Sequence, residues 1–247
     1  MTGSRIARPA SRPASRQFPV SSPLLLGALL LATTASFACR AVETGVTRLD
    51  RAGARYTLRL DGQPVVAFTV PALGPAGAPR VDIAELDGPE KGWRRVRLAW
   101  DLDAPVAQDE LAVRFAVAFA PELWWAPPPA PEEGAVVAQH VFRSPALIAA
   151  AGPRVLAVVP DLDLVGARPE NPWFLDLDAP KRAMALGLSK TDVPEHVLFR
   201  KVPGQVFRPG RVELGFFISA SVDPKPVKDP WAAAAAFLWS RWGRPLY

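Results

Sequence analysis

Apolar side chains recur at every second position along much of the chain after residue 40, and this period of two constrains the fold more than any other feature. The longest such run contains Leu111, Val113, Phe115, Val117 and Phe119. Successive side chains of a β-strand point to opposite faces, so the run predicts a strand with one buried face. Shorter segments with strand-like patterns are separated by turns that contain Pro or Gly, at residues 56–60, 65–70, 81–86, 96–100, 135–142, 155–159, 173–177, 183–188, 196–200 and 212–219.

These segments predict an all-β chain, an antiparallel β-sandwich with one C-terminal helix. About ten or more short strands joined by turns are typical of that architecture. Asp61-Gly62, between the first two short segments, is a strong signal for a tight hairpin. Almost no helical period precedes residue 228, so the crossover helices that a parallel α/β fold requires are missing.

The end of the chain changes from a period of two to a helical pattern. Asp229 is predicted as the N-cap, Pro230 as the first helical residue, and Gly243 as the stop of a helix that covers residues 231–242. Nearly all of its surface is apolar, which predicts burial on more than one side. One apolar stripe of this surface consists of Trp231, Ala234, Ala235, Leu238 and Trp242. Two further aromatic side chains, Phe237 and Trp239, lie beside the stripe.

Residues 1–38 have the organisation of a signal peptide. Arginines without any acidic residue precede an apolar segment at 24–32, and Ser36-Phe37-Ala38 supplies the small-x-small pattern of a cleavage site. We therefore expect export to the periplasm, the cell envelope or the extracellular space. The apolar segment is about half the roughly 20 residues that a spanning helix needs, so no permanent transmembrane anchor is expected.

Cys39, the only cysteine, directly follows this cleavage pattern. A lipoprotein carries its acylated cysteine there, but Ser36 stands where a lipobox has Leu, so lipidation and a plain near-terminal thiol both stay open. A single cysteine allows no internal disulfide. The formal net charge is +5, and four of the 29 basic residues lie in the leader. The rest of the chain is therefore nearly neutral, and nucleic-acid binding is not expected.

Trp124 and Trp125 follow the longest predicted strand and precede a Pro-rich segment at 126–131. Proline cannot continue the hydrogen-bond ladder and favours polyproline II, so this segment predicts a stiff exposed loop. Indole faces at its base could stack on sugar rings. Adjacent side chains on a strand point opposite ways, so packing of an indole in the core is the competing interpretation.

Three Asp-Leu-Asp triplets, at 101–103, 161–163 and 176–178, each place two carboxylates on one face of a strand. Two triplets that met across a cleft would suit Ca²⁺ or a glycosidase acid and base. Strand ends with the leucine buried and the acids in water give the same pattern, and we favour that interpretation.

Few other residues of the sequence are candidates for catalysis. His140 and His196 are not at metal-ligand spacing, and both favour rim or surface positions over a role as a catalytic base. No nucleophile elbow, Walker loop or dinucleotide-binding glycine motif is present in the sequence. We therefore predict no catalytic residue, no metal site and no cofactor in this chain.

The order of these parts resembles the N-terminal region of secreted bacterial six-hairpin, (α/α)6-barrel glycoside hydrolases. The parts that carry the resemblance are the signal peptide, a predicted sandwich over 39–222, a connector with Pro and Lys at 223–229, and the sequence Phe-Leu-Trp-Ser-Arg-Trp-Gly-Arg-Pro at 237–245. In that family an N-terminal sandwich packs on a helical barrel that carries the catalytic carboxylates. The resemblance implies a non-catalytic sandwich that braces a barrel absent from this chain, with residues 223–247 leading to it.

The residues expected to contact that barrel lie on the terminal helix: Trp231, Phe237, Leu238, Trp239 and Trp242. The alternative is a free-standing exported envelope protein, acylated at Cys39, that binds a carbohydrate or another partner through Trp124 and Trp125. The two interpretations differ in what the gene encodes after Tyr247.

Overall fold

The computed structural model describes residues 45–126, 135–138, 145–168, 170–191, 198–222 and 229–243. Within them lie sixteen β-strands, one α-helix, and two short 3-10 helices at Gly74–Ala76 and Gly88–Glu90. The strands and the helix are, in chain order, β1 Thr47–Ala52, β2 Arg55–Leu60, β3 Gln63–Thr69, β4 Arg80–Glu85, β5 Trp93–Leu102, β6 Val106–Ala107, β7 Glu110–Val117, β8 Leu123–Trp125, β9 Ala135–Ala138, β10 Leu147–Ala151, β11 Arg154–Pro160, β12 Trp173–Asp178, β13 Ala183–Ser189, β14 Leu198–Arg200, β15 Val206–Phe207, β16 Gly210–Val222 and α1 Ala232–Trp242.

The strands form two large sheets and a small ribbon. The eight-stranded sheet has the order β1-β2-β3-β7-β13-β12-β9-β14, the six-stranded sheet has the order β4-β5-β16-β11-β10-β8, and β15 pairs with β6. Every strand pair in the described residues is antiparallel. The predicted all-β antiparallel sandwich is confirmed. Asp61 and Gly62 form the β2–β3 turn with φ angles of 49° and 78°, as a type I′ hairpin requires.

The main hydrophobic core lies between the two large sheets. Phe68 and Phe115 of the eight-stranded sheet meet Phe216 of the six-stranded sheet edge to face, with ring centroids 5.4 and 5.1 Å apart. Aromatic pairs favour this geometry, so these rings join the sheets directly. The alternating run predicted for β7 is confirmed, because its apolar members all belong to this core: Leu111, Val113, Phe115, Val117 and, just beyond the strand, Phe119.

A second hydrophobic cluster covers the outer face of the six-stranded sheet. Trp93 on β5 and Phe217 on β16 form it together with Ala234 and Phe237 of α1. Strands β10 and β11 lie between this cluster and the main core, so both of their faces are buried. A strand buried on both faces has a continuous apolar sequence without alternation. The β-branched residues of β11 still indicated a strand at 155–159, whereas β10, which reads Leu-Ile-Ala-Ala-Ala, was not predicted.

The helix α1 packs on this outer face with one side only. Ala234 and Phe237 are its buried residues, whereas Trp231 and Ala235 of the predicted stripe are exposed. The predicted stripe is therefore correct only for Ala234, Leu238 and Trp242, which pack on the outer cluster. Phe237 sets the buried side, because its ring stacks on Trp93 with 4.1 Å between centroids.

The start of α1 also differs from the prediction. Trp231, not Asp229, occupies the N-cap position, and it makes no capping hydrogen bond through its side chain. The carbonyl of Asp229 instead accepts a 3.4 Å hydrogen bond from the N–H of Ala232, so a turn precedes the helix. Gly243 follows the last helical residue as predicted, and its N–H donates to the carbonyl of Trp239 at 2.8 Å.

Candidate functional site

Trp124 and Trp125 lie on β8, at the edge of the six-stranded sheet, opposite Ala149 and Ile148 of β10. Because adjacent side chains of a strand point to opposite faces, Trp124 packs against the main core and Trp125 packs against the outer cluster. Both indoles are half-buried. Trp124 therefore serves packing, and only Trp125 belongs to the surface on which α1 lies.

The structure brings Trp125 next to the aromatic helix. Its ring meets the ring of Trp231 edge to face, with centroids 6.5 Å apart and an angle of 87° between the planes. Trp231 is 39% exposed. The sequence suggested a Trp pair on a strand and an apolar helix as separate sites, and the fold joins them through this contact.

The side of α1 that points away from the sandwich is largely apolar. Residues three or four positions apart share one side of a helix, and five such residues of α1 are exposed: Ala232, Ala235, Ala236, Trp239 and Ser240. They are referred to below as the outward face. Trp239 is 67% exposed. Exposed helix faces usually carry polar and charged residues, so a largely apolar outward face is unusual for a helix that contacts water.

Aromatic contacts fix the opposite side of α1. Phe237 is 2% exposed and lies between Trp93, at 4.1 Å, and Phe217, at 4.9 Å between ring centroids. The ring of Trp242 meets Phe217 edge to face at 5.8 Å. Turning the outward face towards the sheet would expose Phe237 and break these contacts, so the orientation of α1 is specified by its own side chains.

Polar contacts hold the last turn of α1. Arg241 pairs with Glu90 at 3.1 Å, and its guanidinium lies 4.5 Å from the ring centroid of Phe217. The indole Nε1 of Trp242 donates to the carboxylate Oδ1 of Asp163 at 2.9 Å. Such charge-assisted contacts add geometric specificity to the aromatic packing.

The triplet at 161–163 supports this anchoring. Asp161 is 0% exposed and accepts a 3.0 Å hydrogen bond from Nε of Arg97. Its other carboxylate oxygen accepts from the backbone N–H of Asp163 at 3.3 Å, which orients the turn that presents Asp163 to Trp242. Both carboxylates of this triplet therefore bind groups of the protein itself.

The other two triplets begin on strands of different sheets. Asp101 lies on β5 of the six-stranded sheet and Asp176 on β12 of the eight-stranded sheet. Asp178 pairs with Lys181 at 2.7 Å, and the hydrogen bonds from Lys181 lower the pKa of Asp178. In the part of the chain that the structure describes, no group of three or more His, Cys, Asp or Glu side chains could hold a metal ion.

Several predicted features lie outside the described residues: the signal peptide, Cys39, the Pro-rich residues 127–131, His140 and His196. No helix within the described ranges is long and apolar enough to cross a membrane. No protein-family model matches the sequence, and no curated protein matches it significantly. The resemblance to six-hairpin glycoside hydrolases therefore stays a prediction.

Trp93 is a site residue that the sequence analysis did not identify. The sequence pattern of β5 around Trp93 could have identified it. Trp93 is in phase with Arg95 and Arg97, whereas the core residue Val96 is out of phase with all three. A tryptophan on the polar side of a strand indicates a second covered face, here the face beneath α1.

Proposed function

We propose that this chain is an exported, non-catalytic β-sandwich domain of a carbohydrate-active enzyme, and that it braces a helical-barrel catalytic domain. The position of α1 carries the proposal: one side packs on the sandwich, and the outward face is exposed and apolar except for Ser240. A contiguous exposed apolar surface on a folded domain is typical of a site for protein interaction.

The composition of the outward face favours a second helix as the occupant. Ala232, Ala235 and Ala236 are small, and small side chains let two helices pack at the short end of the usual interaxial distance of about 8–10 Å. Trp239 provides a large side chain that fits the groove of a neighbouring helix. The helices of an (α/α)6 barrel offer such grooves, whereas a soluble sugar would gain nothing from a row of alanines.

The test is co-expression with the polypeptide encoded after the Tyr247 codon. We expect that polypeptide to consist of helical hairpins and to copurify with the chain. Trp239→Glu should abolish copurification, because it replaces the large apolar side chain of the outward face with a charged one. Val206→Glu is the matched control, since Val206 is also an exposed large apolar residue but lies on β15. A downstream sequence without helical hairpins, or a complex that tolerates Trp239→Glu, would contradict the proposal.

The chain alone should hydrolyse no aryl glycoside or polysaccharide, because the proposed catalytic carboxylates belong to the barrel. Purified chain incubated with a substrate panel provides the measurement. Turnover that is lost in Asp101→Asn or Asp176→Asn would instead show that the active site lies on the sandwich.

The second candidate function is a free-standing exported envelope protein that binds a carbohydrate or another partner, with Cys39 acylated. The contact between Trp125 and Trp231 favours it, because two indoles at right angles can flank a sugar ring. Pull-down with insoluble polysaccharides separates the candidates: binding that Trp231→Ser abolishes would support this one. Metabolic labelling with a fatty acid should then mark the wild-type chain and not Cys39→Ser.

A further inference from the structure

A cleft lies between β1, at the edge of the eight-stranded sheet, and β4, at the edge of the six-stranded sheet. Its volume is about 500 Å³, within the range of small-molecule sites. Apolar side chains and arginines line it together, among them Leu49, Val81, Ile83, Tyr56, Arg51 and Arg94. An apolar wall beside fixed positive charge suits a ligand that has both an apolar surface and an anionic group.

Arg51 is held in place without using its terminal N–H groups. Its Nε donates to the carbonyl of Gly53 at 3.1 Å, and its guanidinium lies 5.5 Å from the ring centroid of Tyr56. Tyr56 is itself stacked on Phe68 in the core, with 5.2 Å between centroids. Within the described residues no carboxylate pairs with Arg51. Its terminal nitrogens are therefore preorganised for a ligand, which reduces the entropic cost of binding.

Glu85, which lines the cleft, and Asp50, which follows the cleft residue Leu49 on β1, are both paired with other arginines. Glu85 pairs with Arg94, whose guanidinium also donates to Thr47. Asp50 contacts both Arg48 and Arg59 at 2.7 Å, and the hydrogen bond from Arg59 lowers the pKa of Asp50. Three arginines and one carboxylate line the cleft: Arg48, Arg51, Arg94 and Glu85. Arg48 and Arg94 are paired with carboxylates, so among the described residues Arg51 is the cleft arginine that has no carboxylate partner.

We propose that this cleft binds the carboxylate of a uronic-acid residue in an acidic saccharide, with Arg51 as the anion-binding residue. An arginine fork matches the two oxygens of a carboxylate in planar, bidentate geometry. Leu49, Val81 and Ile83 would contact the C–H face of the sugar ring. The choice of a saccharide rests on the proposed function, whereas the preference for a carboxylate rests on the cleft alone.

The experiment titrates the purified chain with tetragalacturonate, its methyl ester and a hyaluronan tetrasaccharide, using isothermal calorimetry. We expect at least one of the two acidic saccharides to bind. If tetragalacturonate binds, its uncharged methyl ester should bind at least about tenfold more weakly. Arg51→Gln should weaken binding of the acid by at least about tenfold. Arg211→Gln is the matched control, because Arg211 is an exposed arginine of β16 that pairs with Glu213.

Three results would overturn the inference. They are binding of tetragalacturonate and its methyl ester with equal affinity, unchanged affinity in Arg51→Gln, and no binding of either acidic saccharide. Circular dichroism and urea unfolding of Arg51→Gln should match the wild type, which excludes misfolding as the cause of lost binding. The titration does not involve α1. Trp239→Glu should leave it unchanged, so this inference and the proposed docking of a helical barrel fail independently.

Discussion

Replacing Phe237 by alanine tests how α1 is attached to the sandwich. Phe237 is almost fully buried, and its ring contacts Trp93 at 4.1 Å and Phe217 at 4.9 Å. Removing a buried phenylalanine costs about 3–5 kcal/mol. A terminal helix can detach while the rest of the domain stays folded. The loss in the free energy of unfolding therefore cannot exceed the free energy with which the helix docks. We therefore expect the free energy of unfolding to fall by about 3 kcal/mol, the lower end of that range.

Urea unfolding followed by circular dichroism gives this free energy, and hydrogen exchange over residues 232–242 reports detachment of α1. Trp239→Ala is the control, because it removes a larger side chain from an exposed position and should change stability by less than about 0.5 kcal/mol. If Trp239→Ala destabilises the chain as much as Phe237→Ala does, α1 is docked by its other side and the outward face is not available for a partner.

The polar contacts and the leader give further tests. Trp242→Phe removes the donor to Asp163 and should lower the free energy of unfolding by about 0.5–1.5 kcal/mol; an unchanged urea midpoint would show that the contact contributes nothing. The pKa of Asp178 is lowered by Lys181, so its stabilising contribution is complete above the unfolded-state pKa and is lost as pH falls through the folded-state pKa. Thermal unfolding midpoints below about pH 4 should therefore drop less in Asp178→Asn than in the wild type. Expression in a Gram-negative host should yield a mature chain that begins at or next to Cys39 by mass spectrometry, and an intact leader in the cytoplasm of a secretion-competent host would contradict export.

Strands with one buried face could be predicted from their alternation, whereas a strand buried on both faces could be predicted only where β-branched residues mark it, as Val155, Val158 and Val159 do in β11. β7 alternates cleanly because one of its faces meets the core and the other meets water. β10 reads Leu-Ile-Ala-Ala-Ala, a sequence with good intrinsic helix propensity, and it is a strand only because β11 and β8 pair with it on either side. β1 is an edge strand with few apolar residues, so its pairing with β2, and not its own sequence pattern, makes it a strand.

The candidate site was predictable in its parts and not in its assembly. The sequence alone indicated that the two indoles of Trp124 and Trp125 point in opposite directions. It did not indicate which side of α1 is buried, because nearly every side of that helix is apolar. Trp93 and Phe217 make that choice, and both precede the helix in the chain and lie on different strands. These contacts are set by tertiary structure, and the sequence of α1 itself contains no pattern that indicates them.

Hydroxyl-radical footprinting of individual side chains, on the free chain and on its complex with the helical polypeptide, tests the central claim most directly. In the free chain we expect Trp239 to be modified rapidly while Phe237 and Trp93 are protected, as their burial requires. In the complex Trp239 should become protected, with no change at Trp93. A complex that forms while Trp239 stays fully reactive, or a free chain in which Trp93 is as reactive as Trp239, would contradict the account.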